Sequence, residues 1–323
     1  FIIKLIILIL NSLKELKLFL HMFNIGLSTF TSTPWNERIR DVMYNALNEN
    51  LNYNCEKITN YPEGKVYDIL ILCGIRVIHK KKLDKHRLRN KAKIIIEVGD
   101  DGMDPRKTIE DYYFYFNPNT KPLFKHYIYL PKFVDEDYLY PEQPEKVSVF
   151  VDHYKHQTES EREVSIASLL FIFEKLKQFR NSIDIYFHSS KGIELNPNNI
   201  TIPTNTKSDF KFLNYQEITK FYRKCHIFFP THRETQGMLA QEIGACGALT
   251  IMQEWMYPKN THYQFEHLIY NFEKFVDFDE VLKKCSSEGF IKKNREKVIK
   301  NCSIKNFNKV LNSKIKSILE NRF

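Results

Sequence analysis

Residues 214–250 read NYQEITKFYRKCHIFFPTHRETQGMLAQEIGACGALT. A stretch with helical spacing is followed there by the apolar run Ile227–Phe229 and then by a polar loop. A helix rich in small residues, predicted over 236–246, and Gly247 lead to a further apolar run. The order helix, strand, loop, helix, strand is typical of a parallel α/β sheet. This stretch therefore decides the predicted fold class.

The same alternation continues on both sides of this segment. Strands are predicted at 23–30, 68–73, 93–99, 112–116, 127–130, 147–151, 183–187, 210–213 and 249–252, and further helices at 36–51, 80–91, 163–179, 216–223 and 303–319. Short buried-type strands that alternate with longer helices favour βαβ units.

Three prolines between Pro131 and Pro144 mark a linker that divides the chain. We therefore predict an α/β protein with a first Rossmann-like domain over 22–141 and a second over 145–302. The C-terminal helix, 303–323, is expected to pack back on the first domain. The two domains would face each other across a cleft, with ligands beyond the carboxyl ends of the strands.

The composition is that of a globular protein with ample material for a core. Aromatic residues make up 14% of the 323 residues. The six cysteines form no CxxC pair, which argues against structural zinc and a disulfide scaffold. Scattered thiols suit a reducing compartment, so we expect a cytoplasmic protein.

The net charge bears on the class of partner. Lys and Arg exceed Asp and Glu by 48 − 39 = 9. A basic surface attracts phosphate-bearing partners, namely nucleic acid, nucleotide donors or anionic lipid. The alternative is a solvated lysine-rich surface without a specific partner.

Residues 1–21 precede the first methionine, Met22. The apolar run 2–10 contains Lys4 and is too short to span a bilayer, and no signal-peptide cleavage site follows it. Two interpretations stay open: an upstream extension or dispensable helix, and a helix that associates peripherally with a membrane.

Two carboxylates in the deciding stretch suggest a binding site. Glu234 lies in the loop after the predicted strand, and Gly237 allows a ligand to approach the backbone closely. The start of the next helix offers free N–H groups and a positive dipole end to a phosphate. Glu242 follows Glu234 by just over two helical turns, where it could accept hydrogen bonds from sugar hydroxyls. The alternative is a pair of capping and surface carboxylates.

This stretch resembles the retaining glycosyltransferases with two Rossmann-like domains, the GT-B architecture, and in particular the family-4-type group. Its hallmark is Glu-x7-Glu followed by a small-residue helix, Gly and an apolar strand, here Glu234, Glu242 and residues 245–250. Residues 129–135 are similar to the interdomain linker of that family. The resemblance implies transfer of a sugar, as in hexosyltransferases, from a nucleotide-sugar donor with retention of configuration. It further implies no metal and no cofactor other than that co-substrate.

Roles follow from the resemblance residue by residue. Glu234 would bind donor sugar hydroxyls and stabilise the oxocarbenium-like transition state, and Glu242 would bind the nucleotide ribose. The backbone N–H groups of Gln236, Gly237 and Met238 would bind the donor phosphates.

One motif departs from the family. The family places an Arg and a Lys beside a Gly after the first strand of the second domain, whereas residues 152–157 here read DHYKHQ. We expect Lys155 to neutralise the leaving diphosphate, with Lys191 as a weaker candidate. Tyr215 is expected near the donor base.

The first domain is expected to bind the acceptor. Thr33 and Trp35 follow its first strand, and Trp35 could stack on a sugar or base or staple the next helix. Asp100 and Asp101 follow another strand. Either could orient or deprotonate an acceptor hydroxyl, or both could be turn carboxylates beside Gly102.

The leading hypothesis is a nucleotide-sugar-dependent glycosyltransferase whose acceptor is a glycan, a lipid-linked sugar or a modified DNA base. The alternatives are a catalytically degenerate carbohydrate- or nucleotide-binding module and a sugar-nucleotide epimerase. A phosphorylase would need a lysine-bound pyridoxal cofactor, for which the sequence has no persuasive site.

Overall fold

The computed structural model describes residues 22–29, 34–59, 65–73, 90–99, 111–116, 126–153, 159–189, 206–207, 215–231, 238–255 and 264–322. These residues form two compact units, one made of 22–131 with 305–322 and the other of 132–304. Each unit contains a six-stranded sheet whose strand pairs are parallel. The predicted α/β class with two Rossmann-like units is confirmed.

The first unit is built around a buried parallel sheet. Its elements are β1 (Phe23–Thr29), α1 (Pro34–Asn48), β2 (Tyr53–Thr59), β3 (Tyr67–Cys73), β4 (Ala92–Gly99), β5 (Tyr112–Tyr115) and β6 (Tyr127–Tyr129). The strand order is β2-β1-β3-β4-β5-β6. Strand β3 is buried along its whole length because its neighbours cover both edges and its side chains from Ile69 to Cys73 are apolar on both faces.

The second unit repeats the architecture with more helices. Its elements are β7 (Val147–His153), α2 (Glu159–Leu176), β8 (Ile183–Ser189), β9 (Thr206–Lys207), α3 (Tyr215–Lys224), β10 (Ile227–Pro230), α4 (Met238–Ala245), β11 (Leu249–Gln253), β12 (His267–Tyr270), α5 (Phe278–Cys285) and α6 (Glu288–Cys302). The strand order is β12-β11-β10-β7-β8-β9. Within the part of the chain that the structure describes, no helix is long and apolar enough to cross a bilayer.

Five elements of the described structure were not predicted, among them the two-residue edge strand β9, Thr206–Lys207. Strand β2 mixes polar and apolar residues at the edge of the first sheet, and β12 is a short, half-buried edge strand. Helices α5 and α6 are rich in charged residues. The strand predicted over 210–213 and most of the helix predicted over 80–91 lie outside the described residues.

The proline-rich stretch 132–144 packs within the second unit. The Val134 N–H donates to the Cys302 carbonyl at 2.7 Å. The Arg295 guanidinium of α6 donates to the Ala245 carbonyl at 2.7 Å and also to the Leu139 carbonyl. A charged donor makes such hydrogen bonds stronger than neutral ones, so Arg295 fastens this stretch to the end of α4.

The last helix, α7 (Ile304–Arg322), is grouped with the first unit. The Phe307 ring lies 6.4 Å from the Phe116 ring, measured between centroids. The Asn312 side-chain amide donates to the Ala46 carbonyl of α1 at 2.9 Å. An apolar contact and a polar contact thus anchor the helix at separate points.

Gly247, between α4 and β11, is required for two independent reasons. Its φ of 91° lies in the left-handed region, and an added Cβ would meet the Ile291 side chain and approach the Ile291 carbonyl oxygen to 3.0 Å. We predict that Gly247→Ala lowers the free energy of unfolding by about 1–3 kcal/mol, measured by urea denaturation.

The matched control for that substitution is Gly289→Ala in α6. A Cβ at position 289 would meet nothing within 4 Å. Alanine also has the higher helix propensity, so this variant should keep or gain stability, by up to about 1 kcal/mol. Equal losses in both variants would contradict the account of Gly247.

Candidate functional site

The strand order of the second sheet reverses between β7 and β10. From β7 the sheet grows through β8 and β9 on one side, and from β10 through β11 and β12 on the other. Ligands of open α/β sheets bind at such a point, beyond the carboxyl ends of the strands. The two ends are formed here by Asp152 and His153 of β7 and by Pro230 and Thr231.

Tyr215 and Glu242, both predicted donor-binding residues, are in contact. The Tyr215 hydroxyl donates to Glu242 Oε1 at 3.2 Å. Tyr215 is the first residue of α3, and Glu242 lies one turn into α4, the helix that follows β10 along the chain. In βαβ units the helix N-termini lie at the carboxyl edge of the sheet, so both residues stand at the edge where ligands bind.

The Glu242 carboxylate is buried, with 6% of the residue exposed. A buried carboxylate costs free energy unless hydrogen-bond donors satisfy its oxygens. The Tyr215 hydroxyl supplies one such donor from another helix. This hydrogen bond orients the carboxylate, whose oxygens, when ionised, can only accept hydrogen bonds.

A second phenol, Tyr222, lies in the same region. Burial raises the pKa of Tyr222 well above its usual range, and the nearby Glu242 and Asp152 carboxylates and Tyr215 add to this shift. Its ring packs edge-on against Phe150 of β7, with the centroids 5.9 Å apart. Tyr222 therefore stays protonated and forms part of the buried apolar core of this unit.

A buried polar network joins the two strand ends to α2. The Thr231 hydroxyl donates to the Asp152 carbonyl at 3.1 Å, and the Ser165 hydroxyl donates to the Thr231 carbonyl. His153 Nδ1 lies 2.8 Å from Thr231 Oγ1 and 3.1 Å from Ser165 Oγ. Because both hydroxyl protons point to carbonyls, Nδ1 must carry the ring proton and donate to Thr231 Oγ1.

Most of the other predicted site residues lie outside the described residues. These are Thr33, Asp100, Asp101, Lys155, Lys191, Glu234, Gln236 and Gly237. Trp35 and Met238 belong to the first turns of α1 and α4. Residues 154–158 continue the chain from β7, and residues 232–237 connect Thr231 to α4.

Sequence reasoning missed Asp152 and His153 as members of the site. The available signal was a pair of polar residues directly after an apolar run, the same signal that singled out Asp100 and Asp101. In the second domain, the resemblance to the family motif favours Lys155 over this pair.

The cysteines near the site are unreactive. Cys225 and Cys246 are buried free thiols, and burial raises the pKa of each above its usual range. Both thiols stay protonated at neutral pH, so neither is suited to act as a nucleophile. In the described ranges, no three His, Cys, Asp or Glu side chains converge where a metal ion could bind.

Two buried histidines of the second unit, His153 and His226, are predicted to be opposite tautomers. His153 Nδ1 donates in the network above, whereas His226 Nδ1 accepts from the Ser148 N–H at 3.2 Å. Burial lowers the pKa of His226, so that ring is neutral with its proton on Nε2. Long-range ¹⁵N–¹H NMR spectra at pH 7.5 should show a protonated Nδ1 for His153 and an unprotonated Nδ1 for His226. An unprotonated Nδ1 at His153 would contradict the hydrogen-bond assignment.

The fold is similar to that of several solved structures. Sucrose-phosphate synthase from Thermosynechococcus elongatus matches with a TM-score of 0.63 at 10% identity, over 92% of this chain and 99% of that chain. The E. coli trehalose-6-phosphate structure bound with UDP-2-fluoro glucose matches with a TM-score of 0.59 at 10% identity, over 91% and 99%. A proposed UDP-N-acetylglucosamine 2-epimerase from Listeria monocytogenes matches with a TM-score of 0.54 at 9% identity, over 91% and 95%.

No protein-family model and no curated protein matches the amino-acid sequence. The structural likeness, at such low identity, concerns the fold. The chain has the α/β fold with two parallel sheets that is found in GT-B glycosyltransferases.

Proposed function

We propose that this protein is a glycosyltransferase whose second unit binds a nucleotide-sugar donor. The observation that carries the proposal is the buried Glu242 carboxylate, held by the Tyr215 hydroxyl at the carboxyl edge of a sheet with Rossmann strand order. The similar E. coli structure is bound with UDP-2-fluoro glucose, which supports a sugar nucleotide as the ligand of this fold.

The donor is proposed to lie with its ribose at Glu242. A buried, preoriented carboxylate accepts hydrogen bonds from the two ribose hydroxyls more strongly than an exposed one, since water does not compete there. The diphosphate then points toward the start of α4, where the N–H groups of Gln236, Gly237 and Met238 are proposed to bind it. Lys155, two residues after the last residue of β7, His153, is the proposed cation for the diphosphate.

The proposed reaction is transfer with retention of anomeric configuration, without a metal. The donor C1–O bond breaks and the diphosphate leaves with the electron pair, so positive charge develops on the sugar ring. Glu234 is proposed to stabilise that charge and to bind the sugar hydroxyls. The acceptor oxygen forms the new bond at C1, and its proton is lost.

The acceptor is proposed to bind the first unit. Asp100 and Asp101 follow β4, whose carboxyl end is next to that of β3 in the sheet. Either carboxylate could take the proton of the acceptor hydroxyl. Thr33 and Trp35 connect β1 to α1 and are proposed to contact the acceptor. The chemical class of the acceptor stays open among a glycan, a lipid-linked sugar and a modified DNA base.

Two other functions are compatible with the same fold. A degenerate binding module would bind the nucleotide sugar and leave it intact, and an epimerase would convert it without an acceptor. The epimerase alternative is supported by the Listeria structure, which has a similar fold. Incubation with nucleotide sugars, analysed for transfer, hydrolysis and epimerised sugar, distinguishes the three functions.

Substitutions of the two glutamates should have different kinetic effects. Glu234→Gln should abolish transfer without lowering the unfolding temperature, because it removes the charge that stabilises the transition state. Glu242→Gln should raise the donor Michaelis constant about 10–100-fold, because it weakens charge-assisted hydrogen bonds worth about 1.5–3 kcal/mol. Steady-state kinetics with the donor as the varied substrate measure both.

The control is Glu280→Gln, an exposed carboxylate in the first turn of α5. It should change neither kinetic constant. Normal turnover in Glu234→Gln would remove that residue from the mechanism, and an unchanged donor Michaelis constant in Glu242→Gln would remove the proposed ribose site.

A further inference from the structure

Tyr138 lies in the proline-rich stretch and contacts the donor-binding pair. Its ring packs edge-on against the Tyr215 ring, with the centroids 6.4 Å apart and the planes at 70°. The Tyr215 hydroxyl in turn donates to Glu242 Oε1 at 3.2 Å. One ring contact and one hydrogen bond thus connect Tyr138 to the carboxylate at which the ribose is proposed to bind.

The backbone at Tyr138 is held rigidly. The Arg223 Nε of α3 donates to the Tyr138 carbonyl at 2.6 Å, and the Tyr138 N–H donates to the Asp135 carbonyl at 3.2 Å. The next residue, Leu139, is fully buried, and its carbonyl accepts from Arg295. The ring is therefore presented from a fixed backbone, which limits the entropy lost when a ligand packs on it.

Tyr138 nevertheless keeps 39% of its surface exposed. An exposed aromatic ring on a fixed backbone is the kind of surface on which a nucleobase stacks, because every base has an apolar π-face. Tyr140, two residues further along the chain, is equally exposed at 40%. However, the Arg223 guanidinium packs over its ring, 4.1 Å from the ring centroid. The two tyrosines therefore differ in what they contact, although they share one segment and one degree of exposure.

We propose that Tyr138 forms the base subsite of the nucleotide site, so that the nucleobase stacks on its ring while the ribose binds Glu242. This inference rests on the proposed function and adds a residue to it, about one hundred residues before Glu242 in the chain. Stacking is tolerant of base identity, so Tyr138 contributes affinity for the nucleoside rather than a choice among bases.

The test is calorimetric titration of the full chain with UDP, GDP and ADP. We expect the wild-type protein to bind at least one of them, and Tyr138→Ala to raise its dissociation constant about tenfold. Tyr138→Phe keeps the ring and should bind as the wild type does. Phe272→Ala, the matched control, removes a ring that is 43% exposed and packs edge-on against Phe171, and it should also bind as the wild type does.

Saturation-transfer difference NMR separates stacking from an indirect effect on the site. Loss of the Tyr138 ring should lower the saturation received by the base protons relative to the ribose H1′. A general distortion would lower both alike and would overturn the inference. Circular dichroism melting confirms that each variant is folded, as expected for a half-exposed side chain.

The outcomes distinguish a failure of the base subsite from a failure of the proposed function. If the wild-type protein binds a nucleoside diphosphate and Tyr138→Ala binds it equally well, the base subsite is wrong and the proposed function stands. A similar loss of affinity in Phe272→Ala would overturn the base subsite as well. If the wild-type protein binds none of the three, both the proposed function and the base subsite are overturned.

Discussion

The parallel pairing of β10 with β7 is the interaction on which the second unit depends. It joins the two halves of the sheet and brings the strand ends at Asp152 and Thr231 side by side. Ligands of open α/β sheets bind beyond the strand ends at a point where the strand order reverses in this way. Residues 154–158 and 232–237 start from these neighbouring ends, and this explains how residues some eighty positions apart could serve one ligand.

The buried polar groups around this edge explain why it is suited to binding. Glu242 and His153 are both placed where water is largely excluded, and each has hydrogen-bond partners on other elements. Groups of this kind lower stability unless they are satisfied, but they are already oriented when a ligand arrives. Arg295 and Arg223 donate hydrogen bonds to backbone carbonyls of the proline-rich stretch, so this stretch is also oriented in advance. Under the proposal, the ribose hydroxyls of a sugar nucleotide bind Glu242 and its planar base stacks on Tyr138.

The amino-acid sequence predicted the central strands of each sheet well and the edge strands poorly, for a physical reason. Strands such as β3 are buried on both faces, so they appear as unbroken apolar runs, whereas the edge strand β2 carries polar residues and leaves no such run. In the site, Tyr215 and Glu242 are in contact, and their role in donor binding stays a prediction. Tyr138 could not be found from the sequence, because its contact with Tyr215 depends on how a distant segment packs on α3.

The central claim is that the second unit binds a nucleoside diphosphate with its ribose at Glu242. A crystal structure of the full chain with the nucleoside diphosphate that binds it most tightly tests this claim directly. The account predicts the ribose hydroxyls within hydrogen-bonding distance of the Glu242 carboxylate, beyond the ends of β7 and β10. A nucleotide bound to the first unit, or bound to the second unit away from Glu242, would contradict it.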